Sequence, residues 1–206
     1  MFGEKTAQKT SFFFADDVAN DRAGTLAWGA MGQRSSPSPE SSRTPVFQPV
    51  SGPTGTAVTV RARDLPALTP IYLGFGGTRS SFEVLSELVT DQEGRMQEAV
   101  AIPDWATSDR THYFVLVDVY FRPLAVSTAF HVTTSDGTVL RRGRVTDEGV
   151  RCLALREEGE TGELYTLVGT AVGALQTGDM VAVTGTLSET SACRQGTTID
   201  VILVGG

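Results

Sequence analysis

From residue 45 onward the chain consists of short apolar runs of strand length, and none of them has a helical period. In the run Thr56–Arg63, for example, Val58 and Val60 alternate with polar residues, as in a strand with one buried face. Turn signals separate the runs, and they begin at Gly52, Leu65, Gly76, Glu93 and Arg122. Short strands repeated at this spacing predict an all-β protein.

The segment from residue 45 to 134 predicts an antiparallel β-sandwich, with its richest run, Tyr113–Phe121, as a central strand. Alternation assigns one face of that strand to Val115, Val117 and Val119 and the other face to Phe114, Leu116 and Asp118. The glycines Gly74, Gly76 and Gly77 are predicted to form a turn. A phosphate-binding loop is not expected there, because the Walker lysine and a following helix are missing.

Four stretches of this segment share features with a known family: PVFQPVSGPTGTAVTVRARDL, IYLGFGG, AVAIP and STAFHVT. A proline-led first strand meets a Ser-Gly-Pro-x-Gly turn, and the next strand carries alternating valines. The segment resembles the immunoglobulin-like IPT/TIG type of domain and its bacterial relatives. The resemblance implies an Ig-like β-sandwich over residues 45–134 that serves as a spacer or a binding platform.

The segment from residue 135 to 206 offers five further strands: TVLRRGRVT, VRCLALR, LYTLVG, DMVAVTGTL and TIDVILV. With Gly169, Gly173 and Gly178 at bends, they predict a small OB-like β-barrel, and a second sandwich is the alternative. The stretches GRVTDEGVRCLAL, GELYTLVG, LQTGDMVAVTGTL and SACRQGTTIDV are similar to a bacterial domain of unknown function with such a barrel. That resemblance implies a fold and a tendency to occur in exported proteins, and it implies no reaction.

The only cysteines, Cys152 and Cys193, both belong to the predicted barrel. A disulfide between them would close a loop of about 40 residues, worth about 4 kcal/mol in the chain-entropy model. Two buried thiols that pack as small apolar groups are the alternative. A disulfide favours a periplasmic or extracellular location, although no secretory signal is visible, because the apolar cluster at Phe12–Ala15 is too short.

Residues 1–44 differ from the rest, and we interpret them as an extended N-terminal arm. The stretch Gln33–Arg43 is rich in serine and proline, which is typical of a solvated linker. Before it lie the aromatic residues Phe12, Phe13, Phe14 and Trp28. We expect them to bind a partner protein and to become ordered on binding; a loose tail is the alternative.

Charge argues against several classes of partner. The net charge of −7 speaks against nucleic acid and anionic lipid, and no apolar run is long enough for a transmembrane helix. The predicted barrel has one aromatic residue, Tyr165, whereas single-strand binding needs several. Its basic cluster of Arg141, Arg142 and Arg144 is predicted to pair with acidic residues on the surface.

Catalytic chemistry has little support, and no cofactor or metal site is expected. The two histidines, His112 and His131, fall in predicted strands, and a G-x-S-x-G elbow is missing. The acidic pairs Asp147–Glu148 and Glu157–Glu158 are predicted to be solvated. The cysteines have neither C-x-x-C nor zinc-ligand spacing.

The sequence therefore predicts a non-catalytic structural or interaction subunit. We expect it to dock on other protein subunits of a larger assembly through the arm and through its β-domain surfaces. The alternative is a ligand-binding OB module of an exported protein, for a glycan or a peptide. Trp105 is then the candidate platform, unless it only caps the core from a loop.

Overall fold

The computed structural model describes residues 43–77, 81–149, 151–158, 162–188, 193 and 196–205. These residues form an all-β protein whose only helical segment is a short 3₁₀ helix at Thr170–Ala174. Within the described ranges, no helix has the length and apolar character needed to cross a bilayer.

The first nine strands form what we call the two-sheet body. They are β1 (Val46–Gln48), β2 (Ser51–Gly52), β3 (Ala57–Ala62), β4 (Pro70–Gly77), β5 (Phe82–Val89), β6 (Met96–Ala101), β7 (His112–Asp118), β8 (Pro123–Val126) and β9 (His131–Val132). One sheet has the order β1-β3-β6 and another the order β5-β4-β7-β8, and both are antiparallel. The short strands β2 and β9 pair in parallel.

The two larger sheets share one apolar core. Strands β3 and β6 contribute Val58, Val60 and Val100, and strands β4 and β7 contribute their own buried side chains to the same cluster. Its centre is a group of phenylalanine rings whose centroids lie 4.9–5.9 Å apart. They are Phe47, Phe75, Phe114 and Phe130.

Strand β7 alternates as predicted over most of its length. Phe114 and Leu116 join the shared core, whereas Val115 and Val117 join a second apolar cluster on the other face of their sheet. The predicted extent was too long, because β7 ends at Asp118. The Asp118 carboxylate accepts backbone N–H groups of two following residues and so closes a turn, which leaves Val119 outside the strand and 41% exposed.

The prediction of a turn at Gly74, Gly76 and Gly77 was wrong, because all three lie inside β4. The ring of Phe82 from β5 lies so close to Gly74 that a side chain there would run into it. Glycine in a strand interior marks such a close approach. The glycines of β4 are therefore explained by close packing against the neighbouring strand and not by a turn.

The last five strands form a closed barrel. They are β10 (Thr138–Thr146), β11 (Ala154–Glu157), β12 (Leu164–Val168), β13 (Met180–Ser188) and β14 (Thr197–Gly205). Their order around the barrel is β10-β11-β12-β14-β13. Only β12 and β14 pair in parallel. The predicted five-stranded barrel is thus confirmed, and the alternative of a second sandwich was wrong.

Candidate functional site

A fully buried arginine lies where the barrel meets the two-sheet body. Along β10, Val139, Arg141 and Val145 point inward, whereas Arg142 and Arg144 are exposed. The Arg141 guanidinium leaves the barrel and donates to the carbonyl of Ser108, which lies between β6 and β7, at 2.6 Å. The predicted surface cluster was therefore wrong for Arg141, because strand alternation turns it away from its two neighbours.

Arg141 begins a directed chain of hydrogen bonds. Its Nε donates to the Tyr165 hydroxyl at 2.9 Å. The Thr111 hydroxyl donates to the Glu157 carboxylate at 2.8 Å and lies 2.8 Å from the Tyr165 hydroxyl. Since the Thr111 proton is used toward Glu157, Tyr165 must donate to Thr111. Glu157 also lies 3.9 Å from the Arg141 Nε, so the chain returns to its origin.

His131 of β9 completes this group. Its Nδ1 lies 3.4 Å from an Arg141 guanidinium nitrogen, and its Nε2 lies 3.4 Å from the Thr197 hydroxyl. The guanidinium only donates, so Nδ1 is the acceptor and the proton sits on Nε2. We call Thr111, His131, Arg141, Glu157 and Tyr165 the junction network.

Burial decides the charges of the junction network. Burial, and to a lesser extent the nearby Arg141 cation, lowers the pKa of His131 to about 4. Burial also raises the pKa of Tyr165, so both rings are neutral at pH 7. Burial raises the pKa of Glu157, although Thr111 and Arg141 stabilise its charged form. One buried cation therefore lies beside one carboxyl group.

The polar groups of the junction network contact one another inside the protein. Arg141 and Tyr165 are inaccessible to solvent, and the side chain of Glu157 is 16% exposed. The prediction that Glu157 is solvated was wrong, because its neighbours cover it. Breaking such a network leaves a buried charge unpaired, which costs about 3–5 kcal/mol. Its contacts join β10, β11 and β12 to residues of the two-sheet body.

The predicted disulfide is present: Cys152 and Cys193 are bonded, with their Cα atoms 5.8 Å apart. The alternative of two free thiols was wrong. The proposed partner-binding aromatics, Phe12, Phe13, Phe14 and Trp28, lie outside the described residues.

Trp105 was predicted either to cap the core or to serve as a platform for a ligand, and the structure shows features of both. Its ring packs beside Phe75 and His112, with centroids 5.9 and 5.8 Å away, so it does cap the aromatic core. It is also 45% exposed, and its indole N–H donates to the Glu83 carboxylate, which fixes the ring in place. Part of the ring is therefore available on the surface.

His112 is a core residue. Its ring stacks on Phe75 at 5.2 Å, and within the described ranges neither ring nitrogen reaches a hydrogen-bond partner. Burial lowers its pKa to about 4, and the Arg141 and Arg110 cations act in the same direction. Across the part of the chain that the structure describes, no group of three or more His, Cys, Asp or Glu side chains is placed to hold a metal ion.

Sequence reasoning missed the junction network, although one signal for it was visible. Arg141 alternates with Val139 and Val145 on the inward face of its strand, and a cation at such a position demands buried partners. Geometry is the guide to what this site does, because no protein-family model matches the chain and no curated protein matches it either.

Proposed function

We propose that this chain is a non-catalytic structural or interaction subunit that docks on other subunits of a larger protein assembly. One observation carries the proposal: the junction network ties the barrel to the two-sheet body through buried, charge-assisted hydrogen bonds. Two bodies held in one orientation present a composite surface of fixed shape. A fixed surface suits docking, because little conformational freedom is lost on binding.

Two features of the fold support this role. Two facing sheets around one aromatic core support an Ig-like sandwich of the IPT/TIG type for residues 45–134. A closed five-stranded barrel with a non-sequential strand order supports an OB-like barrel for residues 135–206. We assign both architectures as part of the proposal.

The disulfide supports a periplasmic or extracellular location, because such bonds persist in oxidising compartments. In the proposed assembly, the N-terminal arm supplies the aromatic anchors Phe12, Phe13, Phe14 and Trp28. Aromatic side chains carry much of the binding energy at protein interfaces, which supports this assignment.

Mild purification of the tagged full chain from its native source tests the proposal. We expect a stoichiometric complex with at least one other protein, identified by mass spectrometry and stable in size-exclusion chromatography. Replacing Phe12, Phe13, Phe14 and Trp28 by serine should release the partner, whereas Phe2→Ser is the matched control. Elution of the full chain as a free monomer would contradict the proposal.

Glycan binding at Trp105 is a second candidate, favoured by the exposed part of an indole that Glu83 holds in place. The barrel offers no such platform, since Tyr165, its one aromatic residue, is fully buried. A glycan array probed with the full chain tests this candidate. Signals that disappear in Trp105→Ala would support it, and an array without signals would end it.

A further inference from the structure

An open groove of about 620 Å³ lies at one end of the two-sheet body, where β3, β5 and β6 come together. Its lining includes both apolar and charged side chains. Its lining residues are Arg61, Ala62, Arg63, Leu88, Val89, Asp91, Arg95, Met96, Gln97 and Glu98.

Three exposed arginines line this groove. In the β3–β6 pair, Arg61 lies opposite Gln97. Arg63 directly follows β3 and Arg95 directly precedes β6, so the three arginines concentrate positive charge at one end of these two strands.

Two carboxylates, Asp91 and Glu98, also line the groove, so with the three arginines its lining carries one net positive charge. Asp91 accepts the backbone N–H groups of Glu93 and Arg95 at 3.0 and 2.7 Å, and so holds the β5–β6 turn. Glu98 accepts the Ser86 hydroxyl at 2.9 Å.

Within the part of the chain that the structure describes, these guanidinium groups have no anionic partner. Arg61 donates to the neutral amide of Gln97 at 2.9 Å. Among the contacts between described residues, the side chains of Arg63 and Arg95 make no ion pair. Unpaired cations in a protein of net charge −7 indicate an anionic ligand.

We infer that this groove binds an extended acidic peptide segment of a partner protein; the inference rests on the proposed function and names one docking site for it. Arg61 and Arg63 are two residues apart on one face, roughly 7 Å, which equals the spacing of alternate side chains in an extended peptide. Carboxylates at alternate peptide positions therefore face these arginines. The exposed Val89 and the half-buried Leu88, which also line the groove, take an apolar side chain of the same peptide.

Binding of the full chain to an immobilised array of random peptides of about 12 residues tests the inference. We expect retained peptides to carry Asp or Glu at alternate positions next to an apolar residue. The double variant Arg63→Gln/Arg95→Gln should lose at least about tenfold in affinity for them. Arg142→Gln, which removes an exposed arginine from the barrel, is the matched control and should bind like the unmodified chain.

An array that retains no acidic peptide, or retention that survives the double variant, would overturn the inference. Retention reversed equally by inorganic phosphate at the peptide's own concentration would also overturn it, since the site would then bind any small anion.

The two proposals fail separately. A stoichiometric native complex that survives Arg63→Gln/Arg95→Gln, together with a negative array, would remove the groove and leave the docking function. If the unmodified chain purified without any partner protein, the proposed docking function itself would be overturned.

Discussion

The two-sheet body and the barrel are stabilised in different ways. In the two-sheet body, four phenylalanine rings contact one another at the centre of a core supplied by both sheets. The barrel core is aliphatic apart from Tyr165, whose hydroxyl is bonded to groups at the junction. The barrel adds a disulfide and the junction network to its smaller core. A short domain with a limited core generally needs such additional links.

Removing the central ring of the aromatic core tests the first half of this comparison. Phe114 contacts Phe47, Phe75 and Phe130, so Phe114→Ala should cost about 4–5 kcal/mol of unfolding free energy. Urea denaturation followed by circular dichroism measures it. Val119→Ala, at a 41% exposed position just after the end of β7, should cost under about 0.5 kcal/mol. A loss for Phe114→Ala as small as that of the control would show that the core lies elsewhere.

Removing the disulfide tests whether the barrel depends on its additional links. The double variant Cys152→Ala/Cys193→Ala opens a link that spans 41 positions, which should cost about 4 kcal/mol in the chain-entropy model. Hydrogen exchange should become faster in β10–β14 first and leave the centre of β7 protected. Equal loss of protection in both bodies would mean that they unfold as one cooperative unit.

Breaking the junction network should uncouple the two bodies. Arg141→Ala leaves Glu157 and Tyr165 without their buried donor, at a cost of about 3 kcal/mol. Small-angle scattering should then report a broader distribution of shapes. Arg142→Ala is the control on the next residue and should change neither quantity. Arg141→Met should restore part of the stability, because an apolar side chain carries no buried charge.

Lowering the pH tests the junction more gently. The pKa of His131 falls from 6.5 in the unfolded chain to about 4 in the folded protein, so the unfolded chain takes up the proton first. Stability is complete above about pH 6.5 and declines as the pH falls toward 4. The raised pKa of Glu157 acts in the opposite sense, since its protonation favours the folded state. From His131 alone we expect a loss of roughly 3 kcal/mol between pH 7 and pH 4, and Glu157 reduces that loss.

Urea midpoints measured between pH 7 and pH 4 provide the test. His131→Gln should flatten the pH dependence, while the part that comes from buried His112 should remain, because His112 has a similarly lowered pKa. An unchanged profile in His131→Gln would show that the ring is already protonated or solvated in the folded state.

The strands were the most predictable part of the molecule, because alternation and turn residues are local. The limits of β5 and β10 agree with the runs FEVLSELV and TVLRRGRVT. Prediction failed where a neighbouring strand determines the local structure. The glycines of β4, which leave room for the Phe82 ring, were predicted to form a turn. The run LAVSTAFHV was predicted as one strand, but it contributes to two short strands, β8 and β9, in different sheets.

The site was less predictable than the fold, because its residues come from distant parts of the chain. Thr111 and Tyr165 lie 54 positions apart, and only the folded protein brings them together. The disulfide was an exception, since two cysteines in one small barrel leave a single way to pair. The arginine groove also depends on the register between β3 and β6, which the sequence does not specify.

The connection between the two bodies has an evolutionary consequence. Only residues 133–137 separate β9 from β10, and Thr134 and Thr138 bond to each other across them. Genetic exchange of the two-sheet body alone would take from Arg141 the Ser108 carbonyl and the His131 ring, which both accept from its guanidinium. We therefore expect the two bodies to be inherited together.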